Sequence, residues 1–237
     1  GAFWAGAQNA VAGGGSFITL PILMLTGLDA RAANIASCIA LFPAQASSGW
    51  KSWSMADGVG KLKLVHLLLL SLIGGAVGAI VLLATPVKLF AGLVPWLVLF
   101  ATAAFAWGSF GPKPKQARKE HPLRTAFIQF LLGGYGVYFG GGNGFLLMAH
   151  LTLAGQSVRT SGATKNVVNV AMNLTAVLIF LVMATVHWLQ VAVTAAGAVI
   201  GSLVGVWLLR RLDEKILRVV IVVIGIALAI GLFLRGS

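Results

Sequence analysis

The sequence predicts an all-α integral membrane protein made of two inverted repeats, each a glycine-broken re-entrant hairpin followed by three transmembrane helices. Composition, segment lengths and an internal duplication predict it. Of 237 residues, 59% are hydrophobic and only 9% charged, with a mean hydropathy of +0.96, whereas about a quarter of a soluble domain is charged. Apolar stretches near the ~20 residues that cross a bilayer recur at about 1–27, 32–53, 62–84, 87–107, 123–155, 160–184, 187–209 and 215–235. No polar stretch is long enough for a soluble domain, so residues 1–237 read as one membrane domain. The chain has no initiator Met and opens inside an apolar run, so its numbering is expected to start after a few missing residues, and no cleavable signal peptide is evident.

The Pro-rich, basic stretch GSFGPKPKQARKEHP (108–122) is the one real linker, and it separates a first repeat, 1–107, from a second, 123–237. A shift of 128 residues lays Gly13, Gly14, Phe17, Leu23, Leu25, Gly27 and Arg31 on Gly141, Gly142, Phe145, Leu151, Leu153, Gly155 and Arg159. The first segment carries its glycine break at 13–15, and the second carries Pro43, expected to kink or break it. The third and fourth are plain apolar crossings. The fifth spans 33 residues, about 50 Å as one helix against a hydrocarbon core of about 30 Å. Its glycines divide it into helices over 123–138 and 145–154, which suits a hairpin that turns back inside the protein. The sixth bears a polar stripe, and the seventh and eighth are again apolar.

Loop charges test the hairpins independently. With eight plain crossings, Lys51, Lys61, Lys63, Lys113, Lys115, Arg118, Lys119, Arg124 and Arg235 fall on one side. Arg31, Lys88, Arg159, Lys165, Arg210, Arg211, Lys215 and Arg218 then fall on the other, so neither side is favoured. If the first and fifth segments are hairpins, one side keeps only Arg31, Lys88 and Arg235. The excess of positive loops then marks the cytoplasmic side, linker 108–122 included. An odd number of crossings per half makes the halves inverted copies. The formal charge of +12 is thus expected to anchor loops beside anionic lipid rather than to bind nucleic acid.

A helix broken at membrane depth is tolerated only where its freed N–H and C=O groups face protein or a water-filled cavity. After each break a short helix begins, with Ser16 in one repeat and Asn143 or Gly144 in the other at the capping position. The exposed N–H groups and the positive end of the helix dipole then point to mid-membrane, which suits an anion. In RTSGATKNVVNVAMNLT (159–175), Lys165, Asn169 and Asn173 share one helical face with Asn166 beside them. The matching face of the first repeat offers Ser37, Cys38 and Gln45, all neutral, so an asymmetric site is expected.

His66, His150 and His187 lack metal-site spacing and read as structural. Trp50, Trp53, Trp107, Trp188 and Trp207 fall near segment ends, where interfacial tryptophans belong, while Trp4 and Trp96 stay unassigned. The lone Cys38 excludes an intrachain disulfide. All five acids, Asp29, Asp57, Glu120, Asp213 and Glu214, lie in or beside loops, so no membrane carboxylate offers a proton relay or Na⁺ site. No G-x-S-x-G motif is present, and no nucleophile and base pair can be assembled for an intramembrane hydrolase.

AVAGGGSFITLPILMLTGLDARAANIAS (10–37) resembles the first signature of the TauE/SafE-type sulfite exporters, also called 4-toluene sulfonate uptake permeases. FGGGNGFLLMAHLTLAGQSVRTSGATKNVVNVAMNLTAVLIF (139–180) resembles its second copy, and with the tail HWLQVAVTAAGAVIGSLVGVWLLRRL the likeness covers nearly the whole chain. Two departures stand out: Ala149 replaces the proline of the first copy, and Asn143 interrupts the glycines. The T-K-N-V-V-N spacing leaves the family's lysine position to Lys165 or Asn166. The resemblance implies a secondary transporter in the bacterial inner membrane, an exporter of small sulfur-containing anions such as sulfite or sulfoacetate-like organosulfonates, without a cofactor. Expected backbone contacts come from Gly13, Gly14, Gly15, Ser16, Gly141, Gly142, Asn143 and Gly144. Expected side-chain contacts come from Ser37, Gln45, Lys165, Asn166, Asn169 and Asn173, with Arg31 and Arg159 drawing anions in at opposite mouths. The alternatives are an ion-coupled importer of an organic anion and a membrane-embedded enzyme or assembly partner without transport. A cation carrier is disfavoured by a stripe that holds a lysine and no acid.

Overall fold

A computed structural model describes residues 15–110, 121–209 and scattered positions between 219 and 231. Gly13, Gly14, Trp4, linker positions 111–120 and most of the last predicted segment lie outside the described residues. The helices are α1 (Ser16–Leu25), α2 (Ala30–Ser52), α3 (Leu64–Ala84), α4 (Val87–Phe110), α5 (Pro122–Tyr138), α6 (Asn143–Leu153), α7 (Val158–Met183) and α8 (Trp188–Leu209), with a single 3₁₀ turn at Trp53–Met55. Spans within α3, α4 and α7 are long and apolar enough to cross a membrane.

The fifth predicted segment is two helices. α5 ends at Tyr138, and left-handed Gly140 and Gly142, at φ 77° and 69°, carry the chain into α6. The 128-residue offset recurs in the local structure. α1 ends at Leu25 and α6 at Leu153, Gly27 and Gly155 both take positive φ, and Asp29 and Ser157 cap α2 and α7 by accepting backbone N–H bonds. Two expectations are corrected. The residues before α1 and α6 are Gly15 and Gly142, so neither Ser16 nor Asn143 caps; each is the first helical residue. Pro43 does not break α2, which continues to Ser52; a membrane helix absorbs a missing N–H bond where neighbouring helices satisfy the freed groups.

Small residues set the packing. A Cβ on Gly74 or Gly78 of α3 would run into the carbonyls of Phe130 and Gly134 in α5, and one on Gly75 into the backbone of Met172 in α7. Such close approach is how helices associate where lipid removes the hydrophobic drive. Across the α3–α5 contact, Gln129 Nε2 donates to Ser71 Oγ at 2.9 Å. Phe90, Phe139, Leu147, Leu151, Met172 and Phe180 fill the interior, while Leu69, Ile73, Val77 and Ile80 of α3 face outward.

The hydrogen bonds fix which helix ends meet. Arg31, at the start of α2, donates to the carbonyls of Leu83 and Thr85 at 3.0 and 3.1 Å, at the end of α3. Beyond the other end of α2, the carbonyls of Asp57 and Gly58 accept from Gln156 Nε2 at 2.7 and 2.9 Å, and Asp57 also bonds Thr164. Cys38 meets Asn173 and Ser52 meets Asn166, so α2 and α7 run antiparallel. Asn143 meets Asn169 and Thr152 meets Ser161, so α6 and α7 run antiparallel as well.

Candidate functional site

A polar cleft lies where the starts of α1 and α6 meet. It is lined by Ser16, Asn34, Cys38, Gln45, Gly136, Val137, Gly140, Asn143, Gly144, Asn169 and Asn173. α1 begins at its wall with Ser16 and α6 with Asn143 and Gly144. The glycine at 140 lets the two segments approach, since a Cβ there would sit 2.8 Å from Ser16 Oγ. Gly142 O accepts from Phe145 and Leu146, so the N–H groups of Asn143 and Gly144 precede the hydrogen-bond ladder of α6. The positive dipole end of α6 therefore opens on the cleft.

Side-chain amides hold the cleft's shape. Asn143 Nδ2 donates to Asn169 Oδ1 at 3.2 Å and faces Met172 Sδ at 3.5 Å. Asn173 Nδ2 donates to Asn169 O at 3.0 Å, and its Oδ1 accepts from the Cys38 thiol at 3.1 Å. Asn34 Nδ2 donates to Tyr138 O at 2.9 Å and so pins α2 to the end of α5, while Tyr135 Oη donates to Gly141 O at 2.8 Å and braces the break. None of the lining residues is charged.

Of the residues singled out from sequence, Ser16, Gln45, Asn143, Gly144, Asn169 and Asn173 line this cleft, as does Cys38. Gly15, Ser37, Gly141 and Gly142 are buried close by but do not line it; Ser37 is hydrogen-bonded to Thr19 instead. Lys165 is buried one turn before Asn169 on α7 and is also not a lining residue. Asn166 turns to Ser52 Oγ at 2.9 Å. Arg159 is exposed in the first turn of α7, whereas Arg31 is spent on the last carbonyls of α3, the end of a helix that attracts a cation. Asn34, Gly136 and Gly140 were missed. Asn34 stands four residues before Cys38 on the same helical stripe, a spacing that could have found it.

A multi-helical membrane chain that opens a broken helix on a buried polar cleft belongs among the membrane transporters, whose ligand sites use unwound backbone in this way. The family follows from comparison with known proteins: the chain belongs to the sulfite exporter TauE/SafE family, whose profile matches residues 1–232. It is similar to a "probable membrane transporter protein" of Haemophilus influenzae, 26% identical over 91% of this chain and 85% of the relative. A "probable membrane transporter protein ORF9" of a Sinorhizobium species is 28% identical over 98% and 89%. A third relative, the "probable membrane transporter protein YfcA" of Escherichia coli, is 25% identical over 94% and 83%. No solved structure matches the chain.

Proposed function

We propose that the protein is a secondary carrier that exports small sulfur-containing anions, such as sulfite or sulfoacetate-like organosulfonates, across the bacterial inner membrane, with no cofactor and no enzymatic step. The observation that carries this reading is the convergence of two helix starts, Ser16 of α1 and Asn143–Gly144 of α6, on one polar cleft. Asn169, which touches Asn143, is the twelfth residue of the 26-residue α7, so the cleft lies at mid-membrane if α7 spans the bilayer. N–H groups at a helix start favour negative charge, and Lys165 one turn away adds a positive potential. Gly13, Gly14, Gly15, Gly141 and Gly142 would let the backbone close around the anion, and Ser37 and Asn166 would brace the walls.

In this reading the halves are inverted repeats, and the segments at 1–27 and 123–155 are re-entrant hairpins. The antiparallel pairing of α2 with its counterpart α7 supports inversion. The hairpin is supported by Arg31 and Arg159, which sit at opposite ends of the 23-residue α2, through the end of α3 and through the Gln156–Asp57 clasp respectively. Eight plain crossings would put both arginines on one face. Linker 108–122 is cytoplasmic in this arrangement, and the bilayer and a small anion are the partners, with no nucleic acid.

The test is flux in liposomes holding only this protein, with sulfite and 2-sulfoacetate as probes. Efflux that needs the protein and saturates with substrate is the expected result. Absence of flux for both, with no stabilisation of the purified protein by either anion, would overturn the reading, because a ligand of the folded state raises its stability by mass action. Cysteines placed at 31 and 159 should react with impermeant reagent from opposite faces; reaction from one face ends the hairpin arrangement.

A further inference from the structure

The end of the molecule where α2 finishes and α7 begins is closed by a small self-contained turn. Val59 N–H donates to Leu62 O at 2.8 Å and Leu62 N–H returns a bond to Val59 O at 2.9 Å, with Gly60 at φ 58° between them. Val59 is buried in the core while Lys61 and Lys63 stay exposed. Among the described residues, the hydrogen bonds that tie this turn to distant parts of the chain come from Gln156 and Thr164. Gln156 Nε2 donates to Asp57 O at 2.7 Å and Gly58 O at 2.9 Å, and Thr164 Oγ1 donates to Asp57 O and accepts from Asp57 N–H, both at 3.1 Å. Main-chain carbonyls only accept, so these two fix which end of the Gln156 amide faces the turn. Its Oε1 is left buried without a partner. Closure thus leaves an acceptor unmade that water would satisfy if the turn swung out, which makes the clasp easy to release.

Beneath the turn, buried polar side chains lead inward. Thr164 and Lys165 are buried on α7, and Lys165 stands one turn before Asn169, which lines the cleft. Ser52 of α2, bonded to Asn166, is buried two turns beyond Gln45 of the cleft. Polar and ionisable side chains buried among membrane helices mark pathways. Around the turn, Lys51, Lys61, Lys63 and Arg159 are exposed at the same end, with the exposed Asp57 beside them. A mouth with such an excess of positive charge raises the local concentration of anions. Resting on the carrier reading above, we propose that residues 57–62 form a lid over the cytoplasmic route into the cleft, that Gln156 is its latch, and that an anion loads through this mouth when the latch lets go. The lid is closed in this structure, and the polar column beneath it is the route that opening exposes.

Cys38 is the only cysteine of the chain and lines the cleft, so it reports on access without added cysteines. The probe is the membrane-impermeant anion 2-sulfonatoethyl methanethiosulfonate, applied from either face of oriented membrane vesicles that hold the protein. Gln156→Leu should speed labelling of Cys38 from the 57–62 face by about tenfold or more, roughly what two typical hydrogen bonds are worth, without raising the rate from the opposite face. Thr164→Val, which keeps the outline of the side chain, should act in the same direction with a smaller effect. Labelling that rises equally from both faces means a general loosening of the fold and overturns the proposal. So does labelling that is unchanged in both variants while the parent carries sulfite. A parent Cys38 that reacts from the 57–62 face as fast as an exposed thiol rules out a closed lid, whether or not the variants fold. Absence of sulfite flux in the parent instead sinks the carrier reading, and this inference with it.

Discussion

Lys165 is buried within α7, four residues before Asn169 and on the same face, and no carboxylate pairs with it among the described residues. Residues so spaced have Cβ atoms about 5–6 Å apart, and at an effective dielectric near 20 an opposite charge about 6 Å away gains roughly 3 kcal/mol. The lysine need not touch the anion to favour it. Lys165→Ala is therefore expected to weaken sulfite or sulfonate binding by about 2–4 kcal/mol, around that Coulomb gain and overlapping the roughly 3–5 kcal/mol lost when one member of a buried charge pair is removed. Arg159→Ala, at an exposed site, should leave affinity nearly unchanged and alter mainly the salt dependence of the rate. Lys165→Arg should restore binding only in part, since a planar guanidinium does not replace a compact ammonium. Calorimetry on the three folded variants decides: unchanged affinity in Lys165→Ala removes the lysine from the site's electrostatics. The residue stripe on α7 was legible because asparagines at helical spacing cannot face lipid. What each would touch was not, since Asn166 bonds Ser52 and Asn143 bonds Asn169 across long stretches of chain.

The start of α6 depends on backbone that only glycine adopts freely. Gly140 and Gly142 have φ of 77° and 69°, a left-handed conformation that costs other residues about 1–2 kcal/mol. A Cβ on Gly142 would in addition come 3.1 Å from the Ala101 methyl in α4. Gly162 in α7 offers a control, for a Cβ there meets nothing within 4 Å, and Ala is favoured over Gly in a helix interior by about 1 kcal/mol. Thermal unfolding in detergent should place Gly142→Ala below the parent by several degrees and Gly162→Ala at or above it, given about 2–4 °C per kcal/mol for chains of this size. If the two alanines behave alike, the break is not held by glycine conformation. This break could be read from the sequence because excess length and clustered glycines coincide there. The missing side-chain cap could not, because a left-handed glycine before the helix makes a capping side chain unnecessary, and Asn143 is free to turn sideways. Pro43 was expected to kink or break its segment, and the break does not occur, since α2 runs on through it to Ser52.

At the scale of the whole molecule the duplication was the legible feature, because seven identities at one offset also fixed where turns and helix ends recur. The asymmetry between the halves was legible only in part. The neutral face of the first repeat was foreseen, but Arg31 and Arg159, identical in sequence and equivalent in position, do different work. One caps the end of α3 and the other is exposed in the first turn of α7. That asymmetry bears on direction. Asp29 is an exposed helix cap and Asp57 an exposed loop residue, so the acids among the described residues are not membrane carboxylates that could carry a proton or Na⁺ with the anion. An uncoupled carrier moves its substrate down the electrochemical gradient. One charge crossing 100 mV is worth about 2.3 kcal/mol, so an inside-negative membrane favours a monovalent anion outside by roughly fortyfold. Export then needs no coupling ion, whereas uptake would have to be driven against that gradient. In proteoliposomes loaded with 2-sulfoacetate, an imposed inside-negative potential should speed efflux, and removing Na⁺ should leave it unchanged. Efflux slowed by that potential, or dependent on Na⁺, would place a coupling site in the chain and reverse the assignment from exporter to importer.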